Sequence, residues 1–338
     1  MRLDPFSLSL SDPLGTANGP IEAREGFLVR LADEGESQSA GLGEATPLPG
    51  WTESLSDCRT ALDAGDPDAT TPAARHGVSL ARADAAARAA GVSLGAQLAA
   101  GDAADAVPVN ATVGDGTAAE TAESVREAVE SGYDAVKVKV GARDAAVDAA
   151  RLRAARDAAP DAELRADANG AWDRETAAAM LDAAAELGVR YVEQPLPADD
   201  LSGHAELRGR GVGVAVDETL AAHSVGAVLD ADAADVLVLK PMALGGPDLT
   251  LSAARAAREA GVDAVVTTTI DGVVARLGAL HVASAIPDVP ACGLATGSLL
   301  AEDLAPDPAP VRDGRMSVPD GPGLAGDALD PLYRVDDR

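Results

Sequence analysis

The chain predicts an α/β fold in two parts, a parallel (β/α)8-type barrel preceded by a smaller α+β unit. Three observations point there. From about residue 107 onward, short β-branched runs alternate with stretches of helical period. Several of those stretches close at glycine, and residues 1 to about 100 follow a different, antiparallel pattern. Eight strand-helix repeats are the number that closes a parallel sheet on itself.

In the amino-terminal part, "FSLSL", "GFLVRLA" and a Gly-rich third stretch predict a small antiparallel sheet, and "TPAARHGVSLARADAAARAAG" predicts a helix. The barrel strands are then expected at "VPVNATV", "AVKVKVG", "ELRADAN", "VRYVEQP", "GVAVDET", "VLVLKPM", "DAVVTTT" and "VPACGLAT". Between them lie helices such as "DRETAAAMLDAAAELG", with Gly132, Gly188 and Gly261 placed where a left-handed cap ends a helix. The final segment is rich in Pro, Gly and Asp and is expected to return and pack on the rest. The division is therefore 1–104, 105–305 and 306–338.

With 55 acidic and 27 basic residues the formal charge is −28, which repels phosphate backbones and anionic membrane surfaces. Nucleic acid and membranes are excluded as partners. The acids are spread along the chain, as expected of a halophile: at about 1 M salt the Debye length falls to roughly 3 Å and self-repulsion is screened. No signal-peptide core and no run of about 18 apolar residues is evident, so the expected location is a salt-rich cytoplasm. Cys58 and Cys292 have no zinc or redox spacing and read as buried thiols. His76, His204, His223 and His281 read as surface or packing residues. "GTANG" and "ALGGPD" lack the spacing of phosphate loops, so no nucleotide is assigned.

Lysine is the informative residue. The chain has three, Lys137, Lys139 and Lys240, against 24 arginines. Residues two apart on a strand share a face, so Lys137 and Lys139 point one way while Val136, Val138 and Val140 point the other. A valine-rich strand within an α/β unit is covered, which disfavours a solvated edge and turns both lysines into the barrel. The same parity puts Arg165, Asp167 and Asn169 on one face of the next strand, followed by Glu193, Asp217 and Lys240 on the three after it. All lie near strand carboxyl ends, where barrel enzymes build their sites.

Unmatched buried charges cost several kcal/mol each even after relaxation, so three carboxylates among three lysines suggest a matched site. Oxygen ligands alone suit a hard divalent cation, Mg2+ or Mn2+. Lysine, unlike arginine, can lose its proton near neutrality beside other cations. A Schiff-base role for Lys240 would leave the three acids unexplained. The chemistry that uses the whole set is removal of a proton α to a carboxylate, the metal stabilising the enediolate while a neutral lysine takes the proton.

In order and at similar intervals, "VKVKVG", "RADANGAW", "VEQP", "VDET" and "LKP" resemble the muconate cycloisomerase-like subgroup of the enolase superfamily over essentially the whole chain. The resemblance implies a modified TIM barrel with an amino-terminal capping domain whose loop around "DPLGTANGPIEAREG" closes over the substrate. It also implies that Asp167, Glu193 and Asp217 bind Mg2+, that Lys139 is a base, and that Lys240 sits on the opposite face.

Within the subgroup, "PLPGWTESL", "TTTID" and "CGLATGSLLAEDL" are similar to the o-succinylbenzoate synthase family, with a haloarchaeal composition. That implies a syn dehydration in menaquinone biosynthesis, with Arg165, Asn169, Thr267, Ile270 and Gly293 lining the pocket of a small carboxylate substrate. "TTTID" departs from the Ser-Ser-Ser and Glu frequent in that family. N-acylamino acid racemases, dipeptide epimerases and cycloisomerases with the same lysine pair stay open, as does a barrel that serves only as a scaffold. Whether Lys240 is a base or a bound cation, and whether the chain forms a homo-oligomer, are left open too.

Overall fold

Alternating apolar residues in the first 45 positions need a covered face, and they find it against a helix. The computed structural model describes residues 1–16, 19–31, 40–99 and 102–334. Strands β1 (Arg2–Thr16), β2 (Gly19–Leu31) and β3 (Gly41–Ala45) form an antiparallel sheet in that order. Helices α1 (Leu55–Ala64) and α2 (Pro72–Ala90) pack on it through Cys58, Leu62, Ala74, Val78 and Ala81. Pro72 opens α2 and Gly91, at φ 70°, closes it. The helix lies unusually close to β3, because a Cβ on Gly43 would fall 1.9 Å from the Gly77 carbonyl oxygen. Only glycine permits that approach.

Helix α3 (Leu94–Ala99) and strand β4 (Ala106–Pro108) lead into the barrel. There β5 (Asn110–Val113), α4 (Ala118–Glu130), β6 (Ala135–Lys139), α5 (Ala145–Ala158), β7 (Glu163–Asp167) and α6 (Arg174–Glu186) alternate. They are followed by β8 (Tyr191–Glu193), α7 (Leu201–Leu207), β9 (Gly213–Val216), α8 (Thr219–Ala222), α9 (Val225–Asp230) and β10 (Val236–Leu239). Helices α10 (Pro241–Leu244) and α11 (Pro247–Glu259), strand β11 (Asp263–Val266) and helix α12 (Val273–Ser284) complete the alternation. Strands β5 to β11 form one parallel sheet in sequential order. The valines of β6 pack outward against Val125 of α4 and Leu152 of α5, as their parity requires. Each such fully buried aliphatic side chain contributes about 1.5 to 3 kcal/mol. Gly132, Gly188 and Gly261 all adopt positive φ just past their helices.

Two expected strands take a different form. "VPVNATV" splits: β4 pairs with β13 (Arg315–Ser317), which in turn pairs with β12 (Val311–Arg312), and only β5 joins the barrel. "VPACGLAT" is not a continuous strand, since Pro290 has no N–H to donate and pairing is reduced to one bridge on each side, Val109 to Cys292 and Thr267 to Gly293. Those bridges still close the barrel between β5 and β11. The carboxyl-terminal segment returns to α2, where the buried Asp84 accepts from the Leu42 and Leu324 N–H groups and from the Tyr333 hydroxyl. Tyr333 belongs to the last helix, α13 (Asp330–Tyr333).

Among the described residues no helix is long and apolar enough to cross a membrane. Cys58 and Cys292 are buried free thiols. His76, His204 and His281 are buried with ring nitrogens against backbone carbonyls. Residues 17 and 18 of "DPLGTANGPIEAREG", the expected closing loop, lie outside the described residues.

Candidate metal centre and its lysines

Strand register assembles the site. Lys139 is paired with Asp167 across β6 and β7, and Asp167 with Glu193 across β7 and β8, so the three side chains share one rung at the carboxyl end of the sheet. Asp217 follows β9, and Lys240 follows β10 just before Pro241. Asp167, Glu193, Asp217 and Lys240 are 1%, 2%, 4% and 8% exposed, so these charges are met by one another rather than by water.

The Lys137 ammonium lies 2.9 Å from both Glu193 carboxylate oxygens and 3.1 Å from Asp167 Oδ2. Lys139 Nζ donates to Asp167 Oδ2 at 2.7 Å and to Asn169 Oδ1 at 2.9 Å. Across the mouth, Lys240 donates to Asp217 Oδ2. Its Nζ also stands 3.4 Å from the centroid of the Trp51 ring, a cation–π contact delivered by the amino-terminal unit. Asn169, in the left-handed region at φ 45°, donates through Nδ2 to Glu218 Oε1.

Electrostatics divides the acids. Burial pushes Asp167 up, but Lys137 and Lys139 together outweigh it and hold that carboxyl well below the usual range. Burial and the neighbouring Asp167 push Glu193 up to about 7. Burial also lifts Asp217 to about 6 against the pull of Lys240. Burial opposes the charge on Lys137, yet Glu193 and Asp167 raise its pKa well above the ordinary value.

As the side chains lie, the ammonium groups interpose, and no three acids, histidines or cysteines of the described residues close on one point. The donor set nevertheless fits a hard divalent cation: three buried carboxylates on adjacent strands, two of them destabilised as anions, and Asp217 Oδ1 buried without a hydrogen-bond partner. A divalent ion would satisfy that oxygen and relieve the crowding.

The other expected pocket residues separate. Thr267 and Gly293 form the barrel-closing bridge, with Thr267 Oγ1 donating to the Gly293 carbonyl at 2.9 Å. Ile270, at φ 60°, packs beside Leu8, Leu10 and Leu300. Arg165 is set apart from the rung of Asp167. It faces the barrel interior, but its guanidinium is drawn to Glu163, Asn110 Oδ1 and the Ala291 carbonyl, stacks on Tyr191, and lines a cavity of about 40 Å³ with Val236 and Asp263. Those partners sit at strand amino ends, so Arg165 lies one layer below the mouth.

Three residues escape the sequence reading. Trp51, one of just two tryptophans in the chain, sits inside "PLPGWTESL" with no periodic signal of its own. Gln194, at φ 42°, accepts from the Asp217 and Thr219 N–H groups and so fixes the Asp217 turn. Arg151, fully buried beside Asp148, donates to the carbonyls of Lys139 and Gly114, both at 2.7 Å, where β5 ends and offers β6 no further rung.

Residues 120–329 match the family described as enolase C-terminal domain-like. An o-succinylbenzoate synthase of Thermobifida fusca is 42% identical over 211 residues, 60% of this chain and 64% of that protein, just short of two thirds of its length. A chloromuconate cycloisomerase of Cupriavidus necator is 32% identical over 75% of this chain and 70% of its own. Among solved structures, a dipeptide epimerase of Methylococcus capsulatus complexed with Mg and the dipeptide L-Arg-D-Lys superposes with a TM-score of 0.83 at 28% identity, covering 96% of this chain and 98% of that one. The chain thus belongs to the enolase superfamily, with muconate cycloisomerase-like relatives.

Proposed function

We propose that the protein is a Mg2+-dependent dehydratase of the o-succinylbenzoate synthase type, acting in menaquinone biosynthesis within a salt-rich cytoplasm. The observation that carries the reading is the shared rung of Lys139, Asp167 and Glu193, faced by Lys240 on Asp217. It is supported by the 42% identity to the Thermobifida fusca enzyme.

In this reading Asp167, Glu193 and Asp217 would hold the cation, with the half-buried Lys137 as their counter-charge. The cation supplies positive charge for the substrate carboxylate when bound. Lys139, whose nitrogen lies beside Asp167 Oδ2 and Asn169 Oδ1, would serve as the base. Lys139 takes the proton α to the carboxylate and returns it to the departing hydroxyl on the same face, so that one water leaves and the ring becomes aromatic. Lys240 stays an ammonium, an arrangement its contact with the Trp51 ring supports. Asn169, Thr267, Ile270 and Gly293 would shape the pocket.

Racemase, epimerase or cycloisomerase activity is the second reading. It is favoured by lysines on two strands of the mouth and by the dipeptide epimerase among the structural relatives. Against a cationic substrate, the segment after Gly293 reads "LATGSLLA" and offers no acid before Glu302. The test is conversion of 2-succinyl-6-hydroxy-2,4-cyclohexadiene-1-carboxylate in high KCl. Metal-dependent formation of o-succinylbenzoate supports the dehydratase, and no conversion by folded protein rejects it.

A further inference from the structure

Two loops that reach the mouth come from different units of the chain, and one buried guanidinium joins them. Arg24, on β2, is 3% exposed. Its Nη2 donates to the Thr46 carbonyl at 2.9 Å, its Nη1 to the Pro47 carbonyl at 3.1 Å and its Nε to the Ile270 carbonyl at 3.3 Å. Thr46 and Pro47 begin the turn that carries Trp51. That turn is tightened by the Trp51 and Thr52 N–H groups on the Leu48 carbonyl and by Leu48 N–H on Thr52 Oγ1. With its first two carbonyls fixed, the turn holds Trp51 over Lys240.

The third partner is the unusual one. Ile270 lies in a backbone region that β-branched residues rarely adopt and that persists only when its surroundings hold it. Arg24 grips its carbonyl. On the following residues, Glu44 of β3 accepts the Gly272 and Ala275 N–H groups that open α12. Glu44 thus caps a barrel helix from the other unit and accepts from Thr46 Oγ1 at 2.6 Å, while Arg24 holds the two carbonyls, of Thr46 and Pro47, that begin the Trp51 turn. A planar fork can serve three carbonyls in different directions, whereas an ammonium on the same stem cannot match that geometry.

We propose that Arg24 is a positioning residue that registers the Trp51 turn of the amino-terminal unit against the Ile270 loop of the barrel. Through Trp51 it sets the ring against which Lys240 rests. The inference deepens the dehydratase reading of the same site, but its first readout needs no substrate.

Arg24→Met and Arg24→Lys are compared with the parent protein by tryptophan emission and acrylamide quenching, with Trp51→Phe defining the Trp51 share. Trp172, the other tryptophan, is buried in the layer between strands and helices and serves as an internal reference. In Arg24→Met, loss of charge-assisted bonds should raise the open fraction of the Trp51 turn about tenfold, with stronger quenching of Trp51. The Michaelis constant for substrate should rise more than the turnover number falls. A parental Trp51 signal in folded Arg24→Met overturns the proposal. Where that variant does not fold, Arg24→Lys decides: a loosened Trp51 supports the proposal and a parental signal overturns it. A loosened Trp51 in a protein without dehydratase activity upholds the role of Arg24 and counts against the dehydratase reading alone.

Discussion

Lys139 and Asp167 face each other across neighbouring strands with Nζ 2.7 Å from Oδ2, and the same ammonium reaches Asn169 Oδ1. The Lys139 main chain is pinned from the other side by Arg151. A side chain placed this way is held by strand register rather than by a mobile loop.

Lys139→Ala should therefore lower turnover by about two to four orders of magnitude, the usual contribution of a positioned general base. Lys139→Arg should not restore it, because a guanidinium stays protonated. Steady-state kinetics in high KCl checks both. Near-parental turnover in either variant would remove Lys139 from the chemistry.

Mg2+ should stabilise the fold. Three buried carboxylates, with Glu193 and Asp217 raised to about 7 and about 6, are relieved by a bound cation. At a hundredfold excess over the dissociation constant the gain is about 2.7 kcal/mol. Thermal melts with Mg2+ and with chelator should differ accordingly, and Asp217→Asn should shrink the difference.

Glu44 predicts a pH slope away from the metal centre. Burial and Asp271 push its carboxyl from an ordinary 4.5 up to about 7. The folded form holds the proton more tightly than the unfolded one, so this contribution is complete below the unfolded value and is lost as pH rises through the folded one. The loss is about 3 kcal/mol. Denaturant midpoints of Glu44→Gln should fall less than those of the parent across that window. Parallel curves would contradict the assignment.

Gly293→Ala tests barrel closure. The new Cβ would lie 2.5 Å from Thr267 Oγ1 and 3.0 Å from Thr267 Cβ, and a rotation that moved the hydroxyl aside would leave Cβ where the bridge holds it. A loss of about 1 to 3 kcal/mol is expected, as for overpacking elsewhere. An unchanged melting temperature would mean that the bridge does not close the barrel.

With a formal charge of −28, melting temperature should rise as KCl increases. A flat response up to about 1 M would show that self-repulsion does not limit this fold.

Much of the barrel and its charged rung was legible because strand parity is strict. Once Val136, Val138 and Val140 were assigned to the helices, Lys137 and Lys139 had to face inward, and register did the rest. Parity says nothing of depth: Arg165 shares the face of Asp167, yet Glu163 and the Ala291 carbonyl pull its long side chain toward the opposite end. Nor does a β-branched run guarantee a strand, as Pro290 shows. Contacts between units leave no periodic trace, so Trp51 over Lys240 and Arg24 on Ile270 become visible only in three dimensions.

The most direct test of the central claim is solvent-deuterium exchange at the substrate α-carbon, followed by NMR in Mg2+ and high KCl, with Lys139→Ala and Lys240→Ala compared. The account predicts that both variants lose dehydration, while exchange from the dehydratase face stops only without Lys139. Equal exchange in the two variants would contradict the assignment of Lys139 as base and Lys240 as bound cation.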